Sequence, residues 1–172
     1  MMMTVKQIEA PPALYPAVDG ASGETLAAAW QRVEHHIAWR FSPREVIWRV
    51  LSDGGEWQPP LAPVTAITVQ VGTDAPYEPE SGPMGGWMLP CGTVKVSATV
   101  GKFPAPWAVL AAVRRLAAYL AAGDKLPAGV TRFSSGDFNA AVRWDQISPA
   151  LAIVNSGAAD LLRPYRRATW AS

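Results

Sequence analysis

The sequence predicts an α+β protein in which a small helical bundle carries a small inserted antiparallel sheet. Apolar residues at helical spacing predict helices near residues 22–41, 107–122 and 149–163. β-Branched and aromatic residues are concentrated near residues 44–100, which predicts strands between the first two helices. Proline- and glycine-rich connectors separate these strands, and the region is interpreted as one antiparallel sheet.

The first predicted helix begins after Ser22, because serine is a favoured cap of helix N-termini. It is expected to end before Pro43, since the residue that precedes a proline is pushed out of the α region. Its apolar side chains recur every three or four residues and form one stripe: Leu26, Trp30, Val33, Ile37 and Phe41. The proline-rich residues 1–21 before it predict an extended arm.

Within the sheet region, the segments "REVIWRVLS" and "VTAITVQV" are predicted strands. Two further strand-like segments, "GGWMLP" and "GTVKVSATVG", follow, and a turn is predicted between them at Cys91 and Gly92. In the second of these, apolar and polar residues alternate, which is typical of a half-buried strand. The segment "TDAPYEPESGPMGG" is predicted to be a flexible loop.

The two later helices have clear boundary signals. Alanine and leucine predominate in the second helix, and Gly123 is expected to end it. Ser148 and Pro149 are a cap and first-turn signal for the third helix. The segment "ALAIVNSGAADLLR" that follows predicts either one helix bent near Gly157 or two short helices.

The predicted organisation has three parts: an extended arm at 1–21, a core domain at 22–156 with a β insertion at 44–100, and a C-terminal segment at 157–172. A chain of 172 residues suits one such domain. Charged residues make up only 17% of the chain, below the usual ~25%, and eight tryptophans are present. This composition favours extensive contact with other proteins.

No constellation of residues predicts an enzyme, a cofactor or a metal site. Cys91 is the only cysteine, which excludes an internal disulfide and a cysteine-based zinc site. His35 and His36 are adjacent on a helix and point about 100° apart, so they are poorly placed to share a metal. The glycines fit neither a phosphate loop nor a dinucleotide fingerprint. No secretory signal or membrane span is recognised, so a cytoplasmic protein is expected.

The last eighteen residues, "NSGAADLLRPYRRATWAS", mix apolar, aromatic and basic side chains. A solvated basic tail is the simple interpretation. Tyrosine, tryptophan and arginine are, however, the types enriched at interface hot spots, which favours docking into a partner's groove. Arg114 and Arg115, inside the second helix, either face solvent, form a contact between subunits or line a path for nucleic acid.

The string "NSGAADLLRPYRR" resembles the C-terminal signature of the head–tail connector (adaptor) proteins of tailed phages and gene transfer agents. Three further segments resemble parts of that family in the family's order. These are "TLAAAWQRVEHHIAWRF", "WQPPLAPVTAITVQV" and "GTVKVSATVGKFPAPWAVLAAVRRLAAYLA". Together the four segments cover most of the chain from Glu24 to Arg167.

The resemblance implies a structural virion protein, assembled in the bacterial cytoplasm, that forms a homo-oligomeric ring, commonly of twelve. Its partners are then the portal protein, the stopper or next neck protein, other copies of itself, and double-stranded DNA passing through the channel; no membrane is implied. Arg114 and Arg115 are candidates for the ring interface. The C-terminal segment is the candidate portal-binding element through Leu161, Leu162, Arg163, Tyr165, Arg166, Arg167 and Trp170.

Two alternatives to this function stay open. A stopper or tail-completion protein is the competitor within the particle's neck, and it binds the adaptor rather than the portal. A small DNA-binding regulator that uses the basic C-terminus is the competitor from another class. Three arginines alone give weak and salt-sensitive binding to DNA.

Overall fold

The computed structural model describes residues 2–124, 133–135, 138–140 and 151–166, which fall in two compact units. Unit 1 contains residues 2–14 and Ala38–Pro104, and unit 2 contains Tyr15–Ile37 and the described residues within 105–166. This division does not coincide with the predicted boundaries after residues 21 and 156, because the predicted arm contributes a strand to unit 1.

Unit 1 is built on a four-stranded antiparallel sheet. Its strands are β1 (Met3–Glu9), β2 (Arg44–Trp57), β3 (Val64–Val71) and β4 (Trp87–Val100). They lie in the order β1-β2-β4-β3, so that β1 and β3 are the two edges. The N-terminal strand therefore closes the sheet on one side, and the β3–β4 connection lies on the other.

The predicted fold class, a helical bundle with a small inserted sheet, is wrong. The sheet is the core of its own unit, and β2 and β4 are 14 residues long. The turn predicted at Cys91 and Gly92 is absent because both residues pair with β2, opposite Asp53 and Ser52. Gly92 adopts a φ of 118°, which glycine tolerates, so the strand continues through the site where a turn was predicted.

Alternate residues of three strands form the core of unit 1. The cross-strand rows Val46–Ala98–Ile67 and Trp48–Val96–Val69 place their side chains on one face, and these side chains are buried. The rings of Trp48 and Trp57 meet edge to face, with their centroids 5.3 Å apart. Fully burying one aliphatic side chain of these rows contributes roughly 1.5–3 kcal/mol to the stability of the fold. The sheet therefore has its own source of stability.

Unit 2 contains the helices. They are α1 (Gly23–Ile37), α2 (Trp107–Asp124), α3 (Ala152–Asn155), α4 (Ala158–Leu162) and a 3₁₀ turn (Arg163–Tyr165), together with a pair of short strands, β5 (Phe133–Ser135) and β6 (Phe138–Ala140). Helix α2 packs against α1 and α4. Among these described helices, none combines the length and apolar character needed to cross a membrane.

The predicted helices differ from the observed ones at their ends. Helix α1 starts after Ser22 as predicted, but it stops at Ile37 because Ala38 takes a left-handed φ of 54°. The third predicted helix is the pair of short helices, separated by Gly157 with a φ of 71°. Its predicted start at residues 148–149 lies outside the described residues.

Candidate protein-binding surface

The C-terminal part of unit 2 is anchored by small and branched apolar side chains. Ala152 of α3 and both Ala158 and Leu162 of α4 are fully buried, and the two helices pack against α2. The side-chain amide of Asn155 also donates a hydrogen bond of 3.3 Å to the hydroxyl of Tyr119 on α2. The chain is therefore held on unit 2 as far as Leu162.

The residues predicted to bind a portal occupy different environments. The side chain of Leu162 lies inside unit 2, so it stabilises the fold and is not on the surface. Leu161 and Tyr165 are half-buried. Arg167 and Trp170 lie outside the described residues. Leu162 is thus an internal anchor, whereas Leu161 and Tyr165 are partly accessible to a partner. Portal binding itself stays a prediction.

Arg163 and Arg166 are exposed and give the end of unit 2 its positive charge. Burial lowers the pKa of His36 on α1, and the positive charge of Arg166 lowers it further. His36 is therefore mainly neutral at pH 7, whereas the guanidinium groups stay charged. Of His36, Arg163 and Arg166, only the two arginines are therefore mainly charged at neutral pH.

Arg114 and Arg115 are both exposed on α2. The guanidinium of Arg114 is 4.0 Å from the carboxylate of Asp19, and the two side chains are 55% and 102% exposed. An ion pair at this exposure contributes little to stability. Both arginines are accessible to a neighbouring subunit, and their role in a ring interface stays a prediction.

The residues considered for catalysis or metal binding lie apart from one another. Cys91 is an exposed free thiol on β4 of unit 1. His35 and His36 lie on α1 of unit 2, the first exposed and the second half-buried. Within the described segments, no group of three or more His, Cys, Asp or Glu side chains is arranged to hold a metal ion.

Unit 1 contains a buried acid–base cluster of one carboxylate and two guanidinium groups. The carboxylate of Glu9 accepts hydrogen bonds from Arg40 at 2.6 and 2.9 Å and from Arg44 at 3.0 Å. Burial alone would raise the pKa of Glu9, but the hydrogen bonds and charges of the two arginines outweigh it and lower this pKa below its usual value. The partners are 31 and 35 positions apart, so no local motif predicts the cluster.

Comparison with known proteins identifies no relative of this chain. No family model matches it, and neither a curated protein nor a solved structure is similar to it. The functional assignment therefore depends on the residues and on the geometry described above.

Proposed function

We propose that the protein is a head–tail connector (adaptor) of a phage or phage-like particle, which forms a ring between the capsid portal and the neck. The resemblance of four segments, in the family's order, supports this function. The structural observation that carries it is the exposure of Arg163 and Arg166 immediately after the fully buried Leu162. DNA passes through the channel of such a ring.

The proposed docking segment begins at Arg163. Leu162 is an internal anchor that fixes where the segment leaves unit 2, rather than a residue that contacts the portal. Beyond it, Arg163, Tyr165 and Arg166 are of the residue types that dominate interface hot spots. A ring presents one such segment per subunit, so each contact needs only modest affinity for the assembly to bind firmly.

The charge of the segment determines how the contact responds to salt. Arg163 and Arg166 are exposed, and we expect them to pair with carboxylates of the portal. Exposed charges are screened over about 8 Å at physiological ionic strength. Portal binding is therefore expected to weaken as salt is raised, mainly through slower association.

The proposal is tested by capture of the protein on immobilised portal rings of the same particle. One variant ends after Leu162 and so lacks the whole docking segment, and a second carries Arg163→Glu and Arg166→Glu. Both keep the buried Leu162, so the helices of unit 2 stay anchored. Lys102→Glu, which reverses an exposed cation in unit 1, is the matched control. Both terminal variants should lose capture, and the control should bind like the wild type.

Three results contradict the proposal. Unchanged capture of both terminal variants excludes the C-terminal segment as the docking element. Binding to an isolated adaptor ring instead of the portal identifies a stopper or tail-completion protein. Retardation of duplex DNA at physiological salt, lost in the arginine variant and without any portal capture, identifies a DNA-binding regulator.

A further inference from the structure

Three basic side chains lie in one row across the sheet of unit 1, on the face opposite the core. Lys6 of β1 is paired with Arg49 of β2, and Arg49 is paired with Lys95 of β4. Adjacent strands are about 4.8 Å apart, so these three positions are direct neighbours. Like charges directly opposite each other destabilise a sheet. The row is therefore unfavourable for the fold of an isolated subunit.

No acidic side chain of this face offsets the row. The neighbouring rows on either side are Ile8–Ile47–Ser97 and Met3–Leu51–Thr93, which contain no carboxylate. Glu45 and Asp53 of β2 are four residues from Arg49, or about 13 Å along the strand. Within the described residues, none of the three basic side chains forms an ion pair.

Three of the side chains that flank the row, on β1 and β2, are apolar and exposed. Met3, Ile8 and Leu51 retain 43–49% of their exposure. The sugar-phosphate backbone of duplex DNA offers phosphates to basic side chains, whereas its apolar contacts are confined to base edges inside the grooves. A cationic row flanked on β1 and β2 by exposed apolar side chains therefore fits a protein surface that is both acidic and apolar. We call these six residues the outer sheet patch: Met3, Lys6, Ile8, Arg49, Leu51 and Lys95.

A surface of that chemistry occurs at the other edge of the same sheet. The β3–β4 connection, residues 72–86, contains no lysine or arginine, and its three carboxylates are exposed. Its apolar side chains Tyr77 and Met84 are 45% and 83% exposed. We call this connection the acidic loop; its carboxylates belong to Asp74, Glu78 and Glu80.

The acidic loop is held in place, contrary to the predicted flexible loop. Tyr77 exchanges two backbone hydrogen bonds with Val69 of β3, at 2.8 and 2.9 Å. The carboxylate of Glu56 accepts hydrogen bonds from the backbone amides of Met84, at 3.0 Å, and Gly86, at 2.6 Å. A preorganised loop loses less conformational freedom when it binds.

We propose that the outer sheet patch of one copy binds the acidic loop of the next copy, and that this contact closes the ring. The patch includes the β1 edge, and the loop extends from the β3 edge, so each subunit has two different complementary surfaces. Head-to-tail contacts of this kind produce rings when the rotation closes. This interface adds a contact between subunits to the proposed function. The contact is argued from unit 1 alone, and only the identification of the assembly as a connector ring rests on the proposed function.

The test is charge reversal followed by mixing, measured by sedimentation of the purified full chain without portal or DNA. One variant reverses the row through Lys6→Glu, Arg49→Glu and Lys95→Glu. The other reverses the loop through Asp74→Lys, Glu78→Lys and Glu80→Lys. Wild-type protein should self-associate, and each variant alone should lose about tenfold or more in association constant. An equimolar mixture should associate again, because each reversed surface then meets an opposite charge.

Single substitutions separate the interface from folding. Arg49→Gln should weaken association while leaving the melting temperature unchanged or higher, because it relieves repulsion within the row. Lys102→Glu, an exposed reversal elsewhere in unit 1, should change neither property. A clear loss of stability in Arg49→Gln would mean that the row has a structural role instead.

Several outcomes overturn the interface. These are a wild type that stays monomeric at its highest soluble concentration, reversed variants that associate normally, and a mixture that stays dissociated. If the wild type is monomeric and, in a separate gel-mobility experiment, binds duplex DNA through the basic row, the patch is assigned to nucleic acid. Since neither portal nor DNA is present in the sedimentation cell, these failures leave the portal-capture result to decide the proposed function independently.

Discussion

Glu9 and Arg40 form a two-point contact inside unit 1. The Nε atom of Arg40 donates to Oε1 of Glu9 at 2.6 Å, and Nη2 donates to Oε2 at 2.9 Å. The Arg40 side chain is 2% exposed, and that of Glu9 is 17% exposed. This contact ties the end of β1 to the segment before β2, so the N-terminal strand is an integral part of the unit.

Glu9→Gln is expected to destabilise the protein by about 3 kcal/mol, because the buried guanidinium groups of Arg40 and Arg44 lose the negative charge that Glu9 contributes. Chemical denaturation followed by tryptophan fluorescence measures the effect. Glu45→Gln, at an exposed position of β2, is the control and should change stability by no more than about 0.5 kcal/mol.

The same contact predicts how the effect depends on pH. The pKa of Glu9 is lowered in the fold, so the unfolded chain binds the proton more readily in acid. The contribution of Glu9 is complete above its unfolded pKa, near 4.5, and is lost as the pH falls through the lower folded pKa. The stability difference between wild type and Glu9→Gln should therefore narrow in acid, and a constant difference contradicts the assignment.

Gly101 lies where another backbone segment passes closely. A Cβ at this position would lie 2.6 Å from the carbonyl oxygen of Ser42 and 2.9 Å from Cα of Pro43. Gly92 is a matched control, since its φ of 118° is close to the 112° of Gly101 but a Cβ there meets nothing within 4 Å. Backbone strain should lower the free energy of unfolding of both alanine variants by about 1–3 kcal/mol.

Gly101→Ala should lose about 1–3 kcal/mol more than Gly92→Ala, because only there must backbone atoms move. Thermal or chemical unfolding of the two variants gives the difference directly. Equal losses would show that the close approach to Ser42 and Pro43 is not required by the fold.

His36 reports on the position of Arg166. Its pKa should lie below 6.5 because of burial, with a further contribution from the charge of Arg166. Arg166→Gln should raise the pKa of His36, whereas Arg166→Lys should largely preserve it; NMR titration of the imidazole measures both. If the pKa of His36 is unchanged in Arg166→Gln, Arg166 lies too far from α1 to affect it.

The lowered pKa of His36 also has a consequence for stability. Well above pH 6.5 the imidazole is neutral in both the folded and unfolded states, and it has no pH-dependent effect on stability. Below that pH the unfolded chain takes up the proton first, so the free energy of unfolding falls as the solution becomes more acidic. His36→Asn should remove this part of the pH dependence.

Glu56 is expected to control the order of the acidic loop. Its carboxylate accepts the amide protons of Met84 and Gly86, so Glu56→Ala should speed hydrogen exchange at both amides. Gln70→Ala is a control, since the side chain of Gln70 donates to the carbonyl of Asp74 and not to the carbonyl or amide of Met84 or Gly86. Equal rates of amide exchange in wild type and Glu56→Ala would mean that Glu56 does not order the acidic loop.

Several single elements of the fold were predictable from the sequence, although the turn predicted at Cys91 and Gly92 is absent, and the pairing of distant strands was not predictable. β-Branched residues predict β3 at Val64–Val71, and the alanine- and leucine-rich run after Pro106 predicts α2, which begins at Trp107. The pairing of β1 with β2 joins residues such as Gln7 and Trp48, which are 41 positions apart. No local pattern encodes such a pairing, so the sheet was predicted too small.

The candidate surfaces were also only partly predictable from the sequence. The basic character of Arg163 and Arg166 is visible in the sequence, but the burial of Leu162 depends on packing against α2. The row that contains Lys6 and Arg49 exists only because of the register between β1 and β2. Strand register is fixed by which side chains are buried on the other face, which a single chain's local periodicity does not determine.

Electron microscopy of the protein mixed with purified portal rings of the same particle tests the central claim most directly. We expect an additional ring on one face of the portal, with neighbouring copies in contact through the outer sheet patch and the acidic loop, and with the segment after Leu162 reaching the portal. Portal rings that stay bare at saturating protein concentration would contradict it.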